Sequence, residues 1–269
     1  MVIDLNDEEI IREAVKIVET AQSKGVILRI LGAIAIRLHS EGFEELHKRL
    51  SRLGGGEKSF TDIDLIGYSS QWGDIRKIME KELSFNISRQ FLLLHGKNRL
   101  IYYHPENLYH VDIFFDKLSF SHDIDFGKRG KGRLELDYPT ITVTDLLLEK
   151  LQIHDINEKD IKDLTVLLKA HALGHDDENS VNINYLSKIL GDDWGFWMDV
   201  RENLMKTLKF AQKYREESRL SSEDYVEIEE KIKSLIELLD TCPKTKKWQK
   251  RAKQGVKKKY WRDVEELYR

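Results

Sequence analysis

The sequence predicts an α+β protein, in which a mixed β-sheet with flanking helices is followed by a C-terminal helical bundle. Short β-type runs cluster before residue 140 with few helices between them. After Thr144 every longer apolar pattern has a helical period. Pro139 and the β-branched stretch Thr140-Ile141-Thr142-Val143-Thr144 separate the two regimes, which places one domain at 1–140 and a helical domain at 141–269.

The first helix is expected over 7–24. Ile10, Ile11, Ala14, Val15, Val18 and Ala21 form one apolar face that would pack on the sheet, and Asn6 or Asp7 is available as a cap. The apolar run 26–31 reads as a strand that breaks at Gly32 and continues as a helix. A second helical piece covers 43–53, and Gly54-Gly55-Gly56 forms a loop leading into the strand Thr61-Asp62-Ile63-Asp64-Leu65-Ile66. Residues 71–83 are helical in pattern. Strands are then expected at 90–95, 99–104, 109–115 and 133–136. Helices follow at 144–153, 158–172, 182–191, 193–217, 222–240 and 245–268.

Chemistry concentrates in the strands. Side chains alternate along a strand, so Asp62 and Asp64 point one way while Ile63 and Leu65 point the other. Like charges held that close need a proton or a cation, and a hard ion with oxygen ligands is the ordinary remedy. Asp112, in His110-Val111-Asp112-Ile113-Phe114-Phe115, supplies a third carboxylate if its strand lies beside the first. A D-x-D pattern alone better fits a solvated strand face, and it is the context that favours a metal site. Gly32, at a strand end where a helix begins, lets backbone approach a ligand, and a helix start suits a phosphate.

A strand, a glycine at a helix start, D-x-D in the next strand and a lone aspartate in a later one resemble the nucleotidyltransferase superfamily typified by DNA polymerase β. Within it the chain looks like the minimal nucleotidyltransferases of the AbiEii toxin type. Leu146 to Ile153, followed by Lys159-Asp160-Ile161-Lys162-Asp163-Leu164, is similar to that family's signature on two helices behind the catalytic domain. The resemblance covers roughly residues 26 to 170. It implies that 1–140 is the catalytic domain and that Asp62, Asp64 and Asp112 hold Mg²⁺, or Mn²⁺. It further implies that Gly32, Ala33, Lys58 and Lys150 contact a nucleoside triphosphate, with Asp163 fixing Lys150 or the substrate. The chain departs from the pattern in two places. Gly32 is followed by Ala33 where members usually carry Ser or Gly, and Lys58 is the nearest cation where the loop often has an arginine.

Composition narrows the class. The 269 residues are 41% hydrophobic and 34% charged, with formal net charge −3, enough for a core without staples. Cys242, the single cysteine, excludes internal disulfides, and the nine histidines lack zinc-ligand spacing. No Walker A or G-x-S-x-G motif occurs. No apolar run approaches the roughly 20 residues of a membrane span, and the acidic N-terminus is unlike a signal peptide, so a cytoplasmic location without membrane association is expected. The segment 244–262 carries many cations and no acid, with Trp248, Tyr260 and Trp261 interleaved. Such a segment suits RNA, tRNA included, through phosphate neutralisation and base stacking.

The sequence therefore leads to a metal-dependent transfer of a nucleoside monophosphate from an NTP to an RNA end or protein hydroxyl. A toxin-like role would add an antitoxin protein as partner. The competing reading is a non-catalytic member of the fold that binds nucleotide, RNA or a partner protein.

Overall fold

The computed structural model describes residues 5–54 and 58–264. The protein is a mixed α+β chain that divides into two compact units. One comprises Met1–Leu38, Leu53–Leu118 and Asp125–Thr142, the other His39–Arg52, Ser119–Ile124 and Val143–Arg269. Among the described residues, no helix is long and apolar enough to cross a membrane.

The first unit is built on a five-stranded sheet of β1 (Leu28–Leu31), β2 (Asp62–Gly67), β3 (Asn86–Ile87), β4 (Arg99–Tyr103) and β5 (His110–Phe115), in the order β1-β2-β5-β4-β3. β2 and β5 are parallel and the other pairs antiparallel. The alternation read from sequence sorts the two faces. Leu28, Ile30, Ile63, Leu65, Leu100, Val111 and Ile113 share one face through the observed register, and all are fully buried. Helix α1 (Asp7–Ser23) packs on β1 and β2. Its buried stripe is Ile10, Ile11, Ala14, Ile17, Val18 and Ala21, so Ile17 takes the buried position assigned to Val15. Asn6 caps it in a reciprocal box, accepting from the Glu9 amide at 2.9 Å while Glu9 accepts from the Asn6 amide at 2.8 Å. Helix α2 (Gly32–His39) starts directly at the end of β1. The expected helix over 71–83 is α4 (Trp72–Lys77), continued by a wider helical turn at Ile78–Glu82.

The second unit contains α3 (Glu44–Leu50) and the bundle α6 (Val143–Leu151), α7 (Glu158–Ala170), α8 (Ile183–Leu190), α9 (Trp194–Glu216), α10 (Ser222–Thr241) and α11 (Lys246–Ala252). The longest, α9, packs on α6, α7 and α10. Asn157, Asn182, Asp193, Ser221 and Thr245 each accept a backbone N–H at the start of α7, α8, α9, α10 and α11 in turn. These short polar side chains satisfy donors that the first helical turn leaves without partners.

Three expected elements are different. Residues 90–95 form helix α5 (Arg89–His95) and no strand. Three consecutive leucines lack the β-branching of a strand, and the Ser88 hydroxyl accepts from the Phe91 amide as a helix cap. The strand expected at 133–136 is a single 3-10 turn, Arg133–Glu135. Side chains hold it there, because the Tyr68 hydroxyl accepts from the Leu134 amide and donates to the Glu135 carboxylate. The helix expected over 245–268 ends at Ala252, followed by a 3-10 turn, Gly255–Lys257, and non-helical chain to Val264; 265–269 lie outside the described residues. Gly255 opens that turn at φ +53°, and Arg251 donates to the carbonyls of Gly255 and Lys258 at 2.9 and 2.6 Å.

Candidate functional site

In the first unit, the register sets Asp64 of β2 opposite Asp112 of β5, and Asp62 opposite His110. Because partners in register share a face, Asp62, Asp64, His110 and Asp112 all lie on the face opposite Ile63 and Val111. Gly32 meets this group from β1. Its φ is +71°, and a Cβ there would stand 3.0 Å from Asp64 Oδ2. Glycine is thus required twice over, by the left-handed backbone and by the carboxylate against it. The position is also electrostatically sound, since a negative charge at the start of α2 is favoured by the helix dipole. Ala33 follows, half-buried, in the same first turn. Lys58 is half-buried in the segment before β2; Gly55, Gly56 and Glu57 of the glycine loop lie outside the described residues.

The carboxylates are not equivalent. Asp62 is partly exposed; its Oδ2 is 3.5 Å from His110 Nε2, and its Oδ1 accepts from the Thr61 hydroxyl at 3.2 Å. Asp112 is fully buried, and its Oδ2 accepts from Arg99 Nη2 at 2.6 Å. Arg99 stands on β4 across from Phe114, diagonal to Asp112 on the same face, and its guanidinium lies over the Phe114 ring at 4.8 Å. The donor chemistry, carboxylate oxygens on two adjacent strands, suits a hard divalent ion. Among the described residues, however, no three of His, Cys, Asp and Glu are grouped so as to hold a metal ion. The Arg99 ion pair supplies a physical reason, because it aims Asp112 along the sheet toward β4. Sequence reasoning passed over Arg99. Its phase was readable, since Arg99, Ile101 and Tyr103 alternate with Leu100 and Tyr102, but the pairing of β4 with β5 was not.

Lys150 and Asp163 come together in the second unit. Lys150 Nζ is 3.1 Å from Asp160 Oδ1, 3.3 Å from Asp163 Oδ2 and 3.8 Å from Glu149 Oε1. Arg52 Nε donates to both Asp163 oxygens, at 3.0 and 3.1 Å. Burial alone would lower the Lys150 pKa. The carboxylates of Asp160, Asp163 and Glu149 outweigh it and hold the ammonium above the usual lysine range. The proximity of Lys150 to Asp160 and Asp163 could be read from their spacing on neighbouring helical segments; the contribution of Arg52, over a hundred residues away from Asp163 in sequence, could not.

The basic segment is sorted by side-chain type. Its aromatic rings face the fold: Trp261 stacks on His154 with centroids 3.6 Å apart, Tyr260 meets Trp194 edge-on at 5.2 Å, and Trp248 meets Trp197 at 5.2 Å. His154 and His122 hold the two oxygens of buried Asp199, each at 2.7 Å. Burial, and then Asp199, push the Tyr260 hydroxyl up to about 12. Lys247, Lys259 and Arg262 pair with Asp192, Asp263 and Asp123. Lys246, Lys250, Lys253, Lys257 and Lys258 are exposed. Compared with family models, with curated proteins and with solved structures, the chain matches none.

Proposed function

We propose that the first unit is a nucleotidyltransferase-type catalytic unit that moves a nucleoside monophosphate from an NTP to an acceptor hydroxyl on RNA or protein. The observation that carries the reading is the set of Asp62, Asp64 and Asp112 on one face of two adjacent parallel strands, with Gly32 opening a helix against Asp64. Asp62, Asp64 and Asp112 are the residues that would hold Mg²⁺ or Mn²⁺, and such an ion supplies charge neutralisation at the attacking and leaving oxygens of an in-line displacement. The backbone amides of Gly32 and Ala33 orient phosphate oxygens at the start of α2. Asp112 is the group placed to receive the proton of the attacking hydroxyl. Lys150, surrounded by carboxylates in the second unit, acts in this reading as a structural cation that positions α6 and α7, and the nucleotide-binding role implied for it and for Asp163 is set aside.

The exposed lysines of 246–258 supply a surface for RNA phosphates. Because the neighbouring aromatics are turned inward, base stacking on Trp248, Tyr260 and Trp261 is no part of that contact. A toxin-like enzyme restrained by an antitoxin protein fits the same chemistry.

One observation favours a second reading. The Asp112–Arg99 pair neutralises a carboxylate that the enzyme needs, as expected of a non-catalytic nucleotide- or RNA-binding member of the fold. The two separate on incubation of the protein with Mg²⁺ or Mn²⁺, each α-³²P-labelled NTP, total RNA and lysate protein, beside an Asp62→Ala/Asp64→Ala control. Label reaching a macromolecule only with intact aspartates supports the enzyme. No transfer together with no pyrophosphate release moves the reading to the binding module.

A further inference from the structure

Arg99 is bound to its partner less completely than a structural arginine would be. One nitrogen, Nη2, reaches Asp112, while the buried Nε has no hydrogen-bond partner. A guanidinium that serves only to neutralise a carboxylate usually meets it with two parallel N–H groups. The Arg99 pair also stands in the worst place for a static ion pair, because Asp112 is fully buried and desolvation offsets much of the Coulomb attraction. The contact is close, single-pronged and set beside two further carboxylates.

We propose that Arg99 is an exchangeable counter-ion, a positioning residue that holds Asp112 until a divalent cation replaces it. The proposal rests on the nucleotidyltransferase reading of the first unit. Arg99 and the cation compete for one carboxylate, so the arginine lowers metal affinity. Once released, the guanidinium lies on the same sheet face as the carboxylates and is free to pair with an anionic phosphate. It thereby stands in for the arginine that the loop before β2 lacks, where Lys58 is found, and for the hydroxyl that Ala33 cannot offer. Metal and nucleoside triphosphate then bind with positive linkage, each drawing Arg99 away from Asp112 or rewarding its departure.

The test is Mn²⁺ binding, followed by the loss of the free-ion electron paramagnetic signal, for the full-length protein and the variants Arg99→Gln, Arg99→Lys and Asp64→Asn. Arg99→Gln is expected to bind Mn²⁺ at least tenfold more tightly, and Arg99→Lys within about threefold of the unsubstituted protein because the competing charge is kept. Asp64→Asn loses the site. An Asp64-dependent site that Arg99→Gln leaves unchanged or weakens overturns the exchange and leaves the nucleotidyltransferase reading standing. No Asp64-dependent site in any variant overturns both. Should Arg99→Gln not fold, the arginine Nε–H resonances of the unsubstituted protein give the answer. Saturating the Asp64-dependent site with Mg²⁺ must shift the Arg99 signal, and an unmoved signal sinks the proposal.

Discussion

The sheet face of the first unit and the Lys150 cluster of the second use the same side chains to opposite ends. Around Lys150, two cations are interleaved with Glu149, Asp160 and Asp163, and Arg52 shares Asp163 with the lysine. Asp163 and Lys150 are both buried. On the sheet, three aspartates share one face, where the Arg99 guanidinium reaches Asp112 and His110 lies beside Asp62. The first arrangement is closed: cations and carboxylates are interleaved in one network that joins α6 to α7 and to Arg52. The second is open: its carboxylates line one face of a rigid strand pair, and Asp62 is partly exposed. A closed network stabilises a fold, whereas an open one is suited to receiving a cation.

Removing the central cation from each cluster separates these roles and carries the largest expected effect. Lys150→Met leaves buried carboxylates without their counter-ion and is expected to cost about 3–5 kcal/mol in urea unfolding. Millimolar Mn²⁺ does not restore that loss. Arg99→Gln also destabilises, since Asp112 is fully buried, but there Mn²⁺ restores the unfolding midpoint by binding the folded state. Equal rescue of both variants, or of neither, would erase the distinction between closed and open clusters.

A buried histidine in the second unit sharpens the comparison through pH. Burial pushes the His171 imidazole down to about 4, with the charges of His39 and Lys231 acting in the same direction, against its hydrogen bonds to backbone carbonyls such as that of Asn179. The folded state therefore binds this proton less readily than the unfolded chain. The contribution is complete above pH 6.5 and is lost as pH falls toward 4, by about 2 kcal/mol after allowance for solvent screening. Urea unfolding at stepped pH should show that slope in the unsubstituted protein and a flatter one in His171→Gln. Parallel curves would place the acid sensitivity elsewhere.

Much of this contrast was legible in the sequence, for identifiable reasons. The phase of Asp62, Asp64 and Asp112 follows from strand periodicity, and the helical period alone places α7 to α10 within about two residues of their observed bounds. What stayed hidden depends on long-range register or docking. Arg99 acquires its role only because β4 lies beside β5. Leu92, Leu93 and Leu94 fit strand and helix alike until the Ser88 cap decides for the helix. The chain after Gly255 leaves its helical pattern because Tyr260 and Trp261 pack on Trp194 and His154.

A smaller effect tests whether Gly32 belongs to the open cluster. Gly32→Ala forces a side chain into a left-handed backbone and sets its Cβ 3.0 Å from Asp64 Oδ2. The expected cost is about 1–2 kcal/mol in thermal or urea unfolding. Asp64 must shift to relieve the contact, so Mn²⁺ affinity should fall while the Lys150 cluster is untouched. Gly42, also at positive φ but with nothing within 4 Å of a Cβ, is the control. Gly42→Ala carries the backbone strain alone and should leave Mn²⁺ binding unchanged.

The smallest effect on folding is expected where cations meet solvent. Lys250, Lys253, Lys257 and Lys258 are exposed, so replacing all four with alanine should change stability by less than about 0.5 kcal/mol. Under the proposed RNA contact, their effect is electrostatic. Each phosphate contact contributes about 0.7 to 0.9 to the slope of log affinity against log salt, so the fourfold variant should flatten that slope by about 3. Trp248, Tyr260 and Trp261 are half-buried in intramolecular ring contacts, and the proposed contact uses the lysines alone. Homopolymers of different base should consequently bind with similar affinity, and tryptophan fluorescence should stay unquenched. A strong base preference that survives the four alanines would mean that RNA is read by another surface, and the segment would then be a solvated, aromatic-anchored end to the bundle.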